Sequence, residues 1–149
     1  MYDNFLVRSD SLQNVEKDGK IVGFKFAVRV ANYRGLFVSL ASGFYVNMDG
    51  VEYPEDALTL EINGKPPRTL AELAKSTWEF WNYQDEHVYL NVAKEGGLAP
   101  GKHRLGYLPV TMNDYGYHLH DKEWIKNPPK PGMGGGKTSR VCWFDLDLQ

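Results

Sequence analysis

Apolar and polar residues alternate with period two along most of the chain, the pattern of strands that bury one face. In "IVGFKFAVRV" the spacing puts Val22, Phe24, Phe26, Val28 and Val30 on one face, with Lys25 and Arg29 opposite. "LTLEI" groups Leu58, Leu60 and Ile62, and "HVYLNV" groups Val88, Leu90 and Val92. The C-terminal "VCWFDLDL" turns Cys142, Phe144, Leu146 and Leu148 inward and leaves Asp145 and Asp147 to water.

Glycine-based reversals punctuate these runs: "DGK" at 18–20, "DG" at 49–50, "NG" at 63–64 and "GGLAPG" at 96–101. Such pairs supply the left-handed backbone that tight turns need. "VNMDGVEY" therefore predicts a hairpin. "LEINGKPP" predicts one only in part, because its prolines cut the second strand short. One short helix is expected in "TLAELAKS", where Thr69 and Glu72 stand at capping-box spacing and Leu70 and Leu73 would face the body of the protein. Many short strands, glycine turns and one small helix predict an all-β antiparallel sandwich, jelly-roll or barrel-like.

With 149 residues the chain suits a single domain, 1–149, and 42% hydrophobic content suffices for a core. The only biased stretch is "NPPKPGMGGGK", residues 127–137, a Pro/Gly-rich loop of a length that is usually functional or disordered. A net charge of −2, with scattered basic residues, argues against nucleic acid as the main partner. A lone cysteine, Cys142, allows no internal disulfide. With no signal-peptide-like or membrane-spanning apolar run, a cytoplasmic protein is the expectation.

Candidate chemistry centres on "YGYHLHDKEW", residues 115–124. On a strand, His118 and His120 would share a face and could supply two ligands to one metal ion. His87 and His103 stand without companions at ligand spacing, so an exposed polar edge is the better reading of the pair. "GMGGGKTS" at 132–139 fails as a phosphate loop, since "NPPKP" precedes it and a strand follows. Cys142 falls on an inward strand face, where a thiol is usually inert. Asp121 and Glu123 read as a solvated pair rather than an acid and base.

The aromatic residues are in surplus. "STWEFWNYQ" holds Trp78, Phe80, Trp81 and Tyr83, and strand alternation must divide them between two faces. With Tyr115, Tyr117, Trp124 and Trp143 they exceed a small core's needs, and exposed Trp and Tyr mark interfaces or sugar-stacking platforms. Packing in the core or under loops is the competing explanation. "ANYRGLF" places Tyr33 and Arg34 at a bend, where an Arg can clamp a carboxylate or reach across an interface. Pattern alone favours a bulge or corner with an exposed charge.

Taken in order, "DSLQNVEKDGKIVGFKFAVRVANYRG", "VNMDGVEY", "WEFWNY", "GGLAPGKH" and the tail "VCWFDLDL" resemble the small β subunit of bacterial C-glycoside deglycosidases, over nearly the whole chain. The resemblance implies a β-sandwich that pairs with a larger, sugar-isomerase-like barrel subunit in a hetero-oligomer. That larger subunit would hold a divalent, manganese-like metal and the catalytic base, with no cofactor on this chain. The complex would cleave the carbon–carbon bond between a 3-oxo sugar and a flavonoid-type aromatic, as a lyase. The resemblance assigns no catalytic role and no metal to His118 or His120. Tyr33, Arg34, Trp78, Trp81, Tyr115, Tyr117, His118, His120 and Trp124 are the partner- or substrate-facing candidates. Two other readings compete: a free-standing carbohydrate-binding sandwich, and a cupin-like metalloenzyme built on His118 and His120.

Overall fold

The turns set the architecture. In the computed structural model, which describes residues 6–29, 36–38, 41–76, 79–81, 87–111 and 141–148, each of the three Asx-Gly pairs has both residues at positive φ. Asp18 and Gly19 lie at 53° and 80°, Asp49 and Gly50 at 56° and 88°, and Asn63 and Gly64 at 49° and 84°. Two such residues make a primed turn, whose twist matches that of the strands it joins. The first closes the hairpin of β1 (Gln13–Lys17) and β2 (Lys20–Ala27), and the second that of β4 (Ala41–Met48) and β5 (Val51–Tyr53).

The third turn follows β6 (Leu58–Ile62) but does not produce a full strand pair. Pro66 and Pro67 have no N–H to offer, so the returning chain makes a single bridge, Arg68 to Leu60, with bonds of 2.8 and 3.0 Å. Immediately afterwards α1 (Leu70–Leu73) starts on the expected capping box. The Glu72 N–H donates to Thr69 Oγ1 at 3.2 Å, and the Thr69 N–H donates to Glu72 Oε1 at 3.0 Å. Leu73 is buried, and Leu70 packs against the core from the edge.

Strands β8 (Val88–Ala93), β9 (Gly101–Thr111) and β10 (Cys142–Leu148) complete two antiparallel sheets, ordered β1-β2-β8-β6 and β10-β9-β4-β5. The two apolar triplets read from the sequence face each other in register: Leu58 opposite Val92, Leu60 opposite Leu90, Ile62 opposite Val88. Across the gap between sheets, Phe24 meets Tyr53 edge-on at 5.6 Å and Phe26 meets Tyr107 at 5.8 Å. One continuous core cluster draws on both sheets, the arrangement of a sandwich. No helix among the described residues is long and apolar enough to cross a membrane.

One expectation fails locally. Val22 is 40% exposed, although Phe24, Phe26 and Val28 are buried as the alternation requires. The cause is a bulge: Val15 pairs with Gly23 and Glu16 with Ile21, so Val22 has no residue opposite it. Val30 lies outside the described residues. Beside the bulge, β2 and β8 approach closely at Gly23, where a Cβ would stand 2.1 Å from the Val92 carbonyl oxygen. Gly23→Ala must therefore push two paired backbones apart. It should cost roughly 2–3 kcal/mol in urea unfolding, and an unchanged midpoint would show that the sheet yields at this point.

Candidate functional site

Most of the residues that the sequence singles out fall outside the described part: Tyr33, Arg34, Trp78, Tyr115, Tyr117, His118, His120 and Trp124, together with the loop 127–137. Trp81 is described. It is 1% exposed and belongs to the core, so its packing explanation holds and the indole is not presented outward by this chain. Cys142 is likewise buried. Among the described residues no three His, Cys, Asp or Glu side chains group as a metal site.

Trp81 sits in a two-stranded ribbon that belongs to neither main sheet, formed by β3 (Leu36–Phe37) and β7 (Phe80–Trp81). Leu36 pairs with Trp81 and Phe37 with Phe80, and the Val38 N–H donates to the Glu79 carbonyl at 3.0 Å. Three residues beyond Val38, Ala41 opens β4 opposite Thr111, the last residue of β9. The ribbon thus leads into the second sheet at the end where Ala41 and Thr111 pair. Alternation along β7 sends Trp81 inward and leaves Phe80 43% exposed.

The ribbon is fixed by a part-buried ion cluster around a buried carboxylate. Glu79, only 6% exposed, receives two parallel bonds from the Arg68 guanidinium, at 2.7 and 2.8 Å. Lys65 Nζ lies 3.1 Å from its Oε2, and Arg68 also donates to Ser76 Oγ at 3.1 Å. The bonds from Arg68 hold the Glu79 carboxyl below its ordinary pKa against the opposing effect of burial. The same bonds raise the Arg68 pKa. Arg68 is itself placed by its bridge to Leu60, so the clamp ties β6 to β7. Sequence reading passed over Arg68 and Glu79 because no local period links residues eleven apart, each beside proline or aromatic residues.

The outer face of the second sheet grades from apolar to charged. Tyr45, Leu108 and Val141 form a second buried cluster on it. The Tyr45 hydroxyl donates to Glu52 at 3.3 Å and accepts from Asn47 at 3.2 Å, and burial chiefly raises its pKa. In the next row Trp143 lies across from Gly106, with its benzo ring where a Cβ would come within 2.7 Å. The Arg104 guanidinium sits 5.5 Å from the indole and 3.4 Å from Asp145. Trp143 is thus a half-exposed indole seated on a glycine and flanked by a cation. Elsewhere, a shallow hollow of about 740 Å³ beside α1 is lined in part by Glu55 and Asp56, whose carboxylates disfavour anions.

His103 is absorbed into a structural contact. Its Nδ1 lies 2.5 Å from Asp49 Oδ2 and its Nε2 lies 2.6 Å from the Ala99 carbonyl. Both partners are acceptors, so the ring satisfies them only as an imidazolium with two N–H donors. Burial acts to lower its pKa, but the bonds to Asp49 and Ala99 outweigh burial and raise it. Burial likewise acts to raise the Asp49 pKa, and bonds from His103 and the Arg104 N–H leave it lowered. The cluster pins the β4–β5 turn to the start of β9.

Two outcomes follow. Glu79→Gln leaves the part-buried Arg68 charge without its counterion and should destabilise the chain by about 2 kcal/mol, read by urea unfolding; a loss under about 1 kcal/mol would make the cluster a solvated surface pair. The His103 contribution is complete below the unfolded value of about 6.5 and fades as pH rises through the higher folded value. The Asp49 contribution is complete above about 3.9 and fades as pH falls. The melting-temperature gap between the wild type and His103→Gln should therefore narrow from about pH 6 to about pH 9. A constant gap would mean that His103 is not charged in the fold.

Comparison with known proteins gives one consistent direction. The sequence model of the family described as "C-glycoside deglycosidase beta subunit" matches residues 2–115. A C-glycoside deglycosidase beta subunit of Eubacterium cellulosolvens is 33% identical over 143 aligned positions, which cover 80% of this chain and 96% of the relative. The family match takes in β1 to β9, the ribbon, its ion clamp and the Asp49–His103 contact, and on these grounds the chain belongs to the C-glycoside deglycosidase beta subunit family.

Proposed function

We propose that this chain is the small subunit of a two-chain complex that splits the carbon–carbon bond between a 3-oxo sugar and an aromatic, flavonoid-type aglycone. The observation that carries the reading is the family match over residues 2–115, with a relative named as a beta subunit. A beta subunit has a larger companion, here a barrel of the sugar-isomerase type that carries the general base. A divalent, manganese-like ion in that companion would supply stabilisation of negative charge on the sugar oxygens.

The chemistry balances as an elimination. The ketone at the third sugar carbon acidifies the hydrogen on the second, and the base takes that proton. The electron pair left behind forms the double bond between the first and second carbons. The bond from the first carbon to the aromatic ring breaks, and its electrons leave with the aglycone, which a phenolic ring tolerates and then protonates at carbon. The sugar departs as an enone. Neither a nucleophilic carboxylate nor an attacking water is required, unlike glycoside hydrolysis. A separate oxidoreductase supplies the 3-oxo substrate.

In this reading the sandwich is a support, and its partner- or substrate-facing positions are Tyr33, Arg34, Trp78, Tyr115, Tyr117, His118, His120 and Trp124. The test is co-purification with the larger subunit and assay on a 3-oxo-C-glycoside. The pair should release aglycone and the sugar enone, with no oxygen from labelled water at the former first carbon, and this chain alone should release none. Labelled oxygen at that carbon would make the reaction a hydrolysis. A chain that forms no complex and retains glycan on an affinity column would be a free-standing sugar-binding module instead.

A further inference from the structure

We infer that Asn63 is a modification site: in the folded chain the Asn63–Gly64 turn closes on itself as a succinimide, which water opens to aspartate and isoaspartate. The inference is independent of the two-subunit reading, since the reaction needs only this chain and water. Asn63 is the only asparagine in the sequence that is followed by glycine. A glycine has no side chain to shield its backbone nitrogen from the neighbouring amide carbon. Both residues are exposed, and a Cβ built on Gly64 would meet nothing within 4 Å. The turn is held at its flanks: the Asn63 N–H donates to the His87 carbonyl at 2.8 Å, and the Lys65 N–H to the Ile62 carbonyl at 3.0 Å. Neither the Asn63 carboxamide nor the Gly64 N–H bonds to any described residue. Because Pro66 and Pro67 stop the returning strand, only the Leu60–Arg68 bridge follows to stiffen it.

The other turns and asparagines among the described residues lack this combination. At Asp49–Gly50 both reacting groups are engaged: the carboxylate is held by His103 and the Arg104 N–H, and the Gly50 N–H donates to Asn47 Oδ1 at 2.9 Å. Asp18, before Gly19, carries a carboxyl group and has no ammonia to release. The Asn14 side chain is bonded at 2.9 Å to both the Leu98 carbonyl and the Leu98 N–H, and the branched Val15 follows it. Asn47 is buried and precedes Met48, and Asn91 lies inside β8 before the buried Val92.

The step balances without oxidant or reductant. The Gly64 nitrogen gives its proton to a base in the solvent and attacks Asn63 Cγ. The new C–N bond closes a five-membered ring, the bond from Cγ to the side-chain nitrogen breaks, and that nitrogen takes a proton from water and leaves as ammonia. Water then opens the ring at either carbonyl. Opening at Cγ gives aspartate, and opening at the backbone carbonyl gives isoaspartate, whose main chain runs through Cβ and Cγ. The isoaspartate backbone is one carbon longer within the loop that the Lys65-to-Ile62 bond closes, and it enters two residues before the Lys65 Nζ that reaches Glu79 at 3.1 Å.

The experiment incubates the folded full chain in mildly alkaline buffer, with a second sample unfolded in guanidinium chloride. Each asparagine-containing peptide is then followed by mass spectrometry, with chromatographic separation of the isoaspartate form. In the folded chain the peptide that carries Asn63 should gain about 1 Da before any other asparagine peptide does, and split into aspartate and isoaspartate forms. Asn63→Asp, which keeps a residue that tolerates positive φ, should gain no mass at this position. An Asn63 peptide that keeps its mass in the folded chain would overturn the inference, and conversion in guanidinium alone would show the fold to be what protects the turn. Earlier conversion at another asparagine of the folded chain would overturn it as well.

Discussion

Each four-stranded sheet has an apolar inner face, and the rest of the structure depends on those faces being buried against each other. Leu58, Leu60 and Ile62 pair in register with Val92, Leu90 and Val88, so the first sheet presents a level hydrophobic surface. The second sheet answers with Tyr53 and Tyr107, met edge-on by Phe24 and Phe26. A fully buried side chain of this size contributes about 1.5–3 kcal/mol, and no ion pair on the outside rivals the sum. A register slip of one residue would turn these faces to water. The primed turns at Asp18–Gly19 and Asp49–Gly50 hold the register of two hairpins without requiring the core to do it.

The ion clusters take on a different task from the core. Asp49 receives both His103 and the Arg104 N–H, which ties a turn residue at positive φ to the neighbouring strand. Arg68 and Glu79 join a chain that failed to become a strand, because of Pro66 and Pro67, to a ribbon that belongs to neither sheet. At the ribbon, backbone pairing is interrupted and charged side chains carry the connection, whereas at Asp49 they reinforce the backbone bond of 2.9 Å from its N–H to the Arg104 carbonyl. That division explains why these charges sit at half-buried seams. The core interior is aliphatic and aromatic, and burial pushes the pKa of its fully buried phenol, Tyr107, further above the ordinary value.

What the sequence discloses follows from the range of the interactions involved. The Asx-Gly turns, the Thr69–Glu72 capping box and the alternation of β6, β8 and β10 depend on neighbours within a few residues, and they are legible. The same alternation places Trp143 outward once Cys142, Leu146 and Leu148 are inward. Val22 misleads because the bulge that exposes it is decided by β1, across the hairpin. Arg68 and Glu79 are illegible for a similar reason, since their meeting depends on how β6 and the ribbon are stacked. Trp81 could be divided from Phe80 by alternation, but which of the two faces inward is settled only by the core. For Tyr33, Arg34, His118 and His120 the sequence reading stands as an expectation about segments beyond the described residues.

A beta subunit implies a companion, and a surface that meets one must hold a defined shape before the partner arrives. Burial alone does not meet that demand, since apolar contacts are non-directional and tolerate small shifts. Directional contacts meet it, and they lie where the outer features are mounted: the Arg68–Glu79 fork behind Phe80, and the glycine seat and cation beside Trp143. The fork and the glycine seat differ in what they exclude. Gly106 admits the indole by having no side chain, so almost any substitution there displaces it. Glu79 requires a specific charge and reach from Arg68, so the ribbon's angle is set by chemistry rather than by vacancy. Of the two, the ribbon is the more tightly determined, because its mounting demands one charge at one reach rather than an empty space.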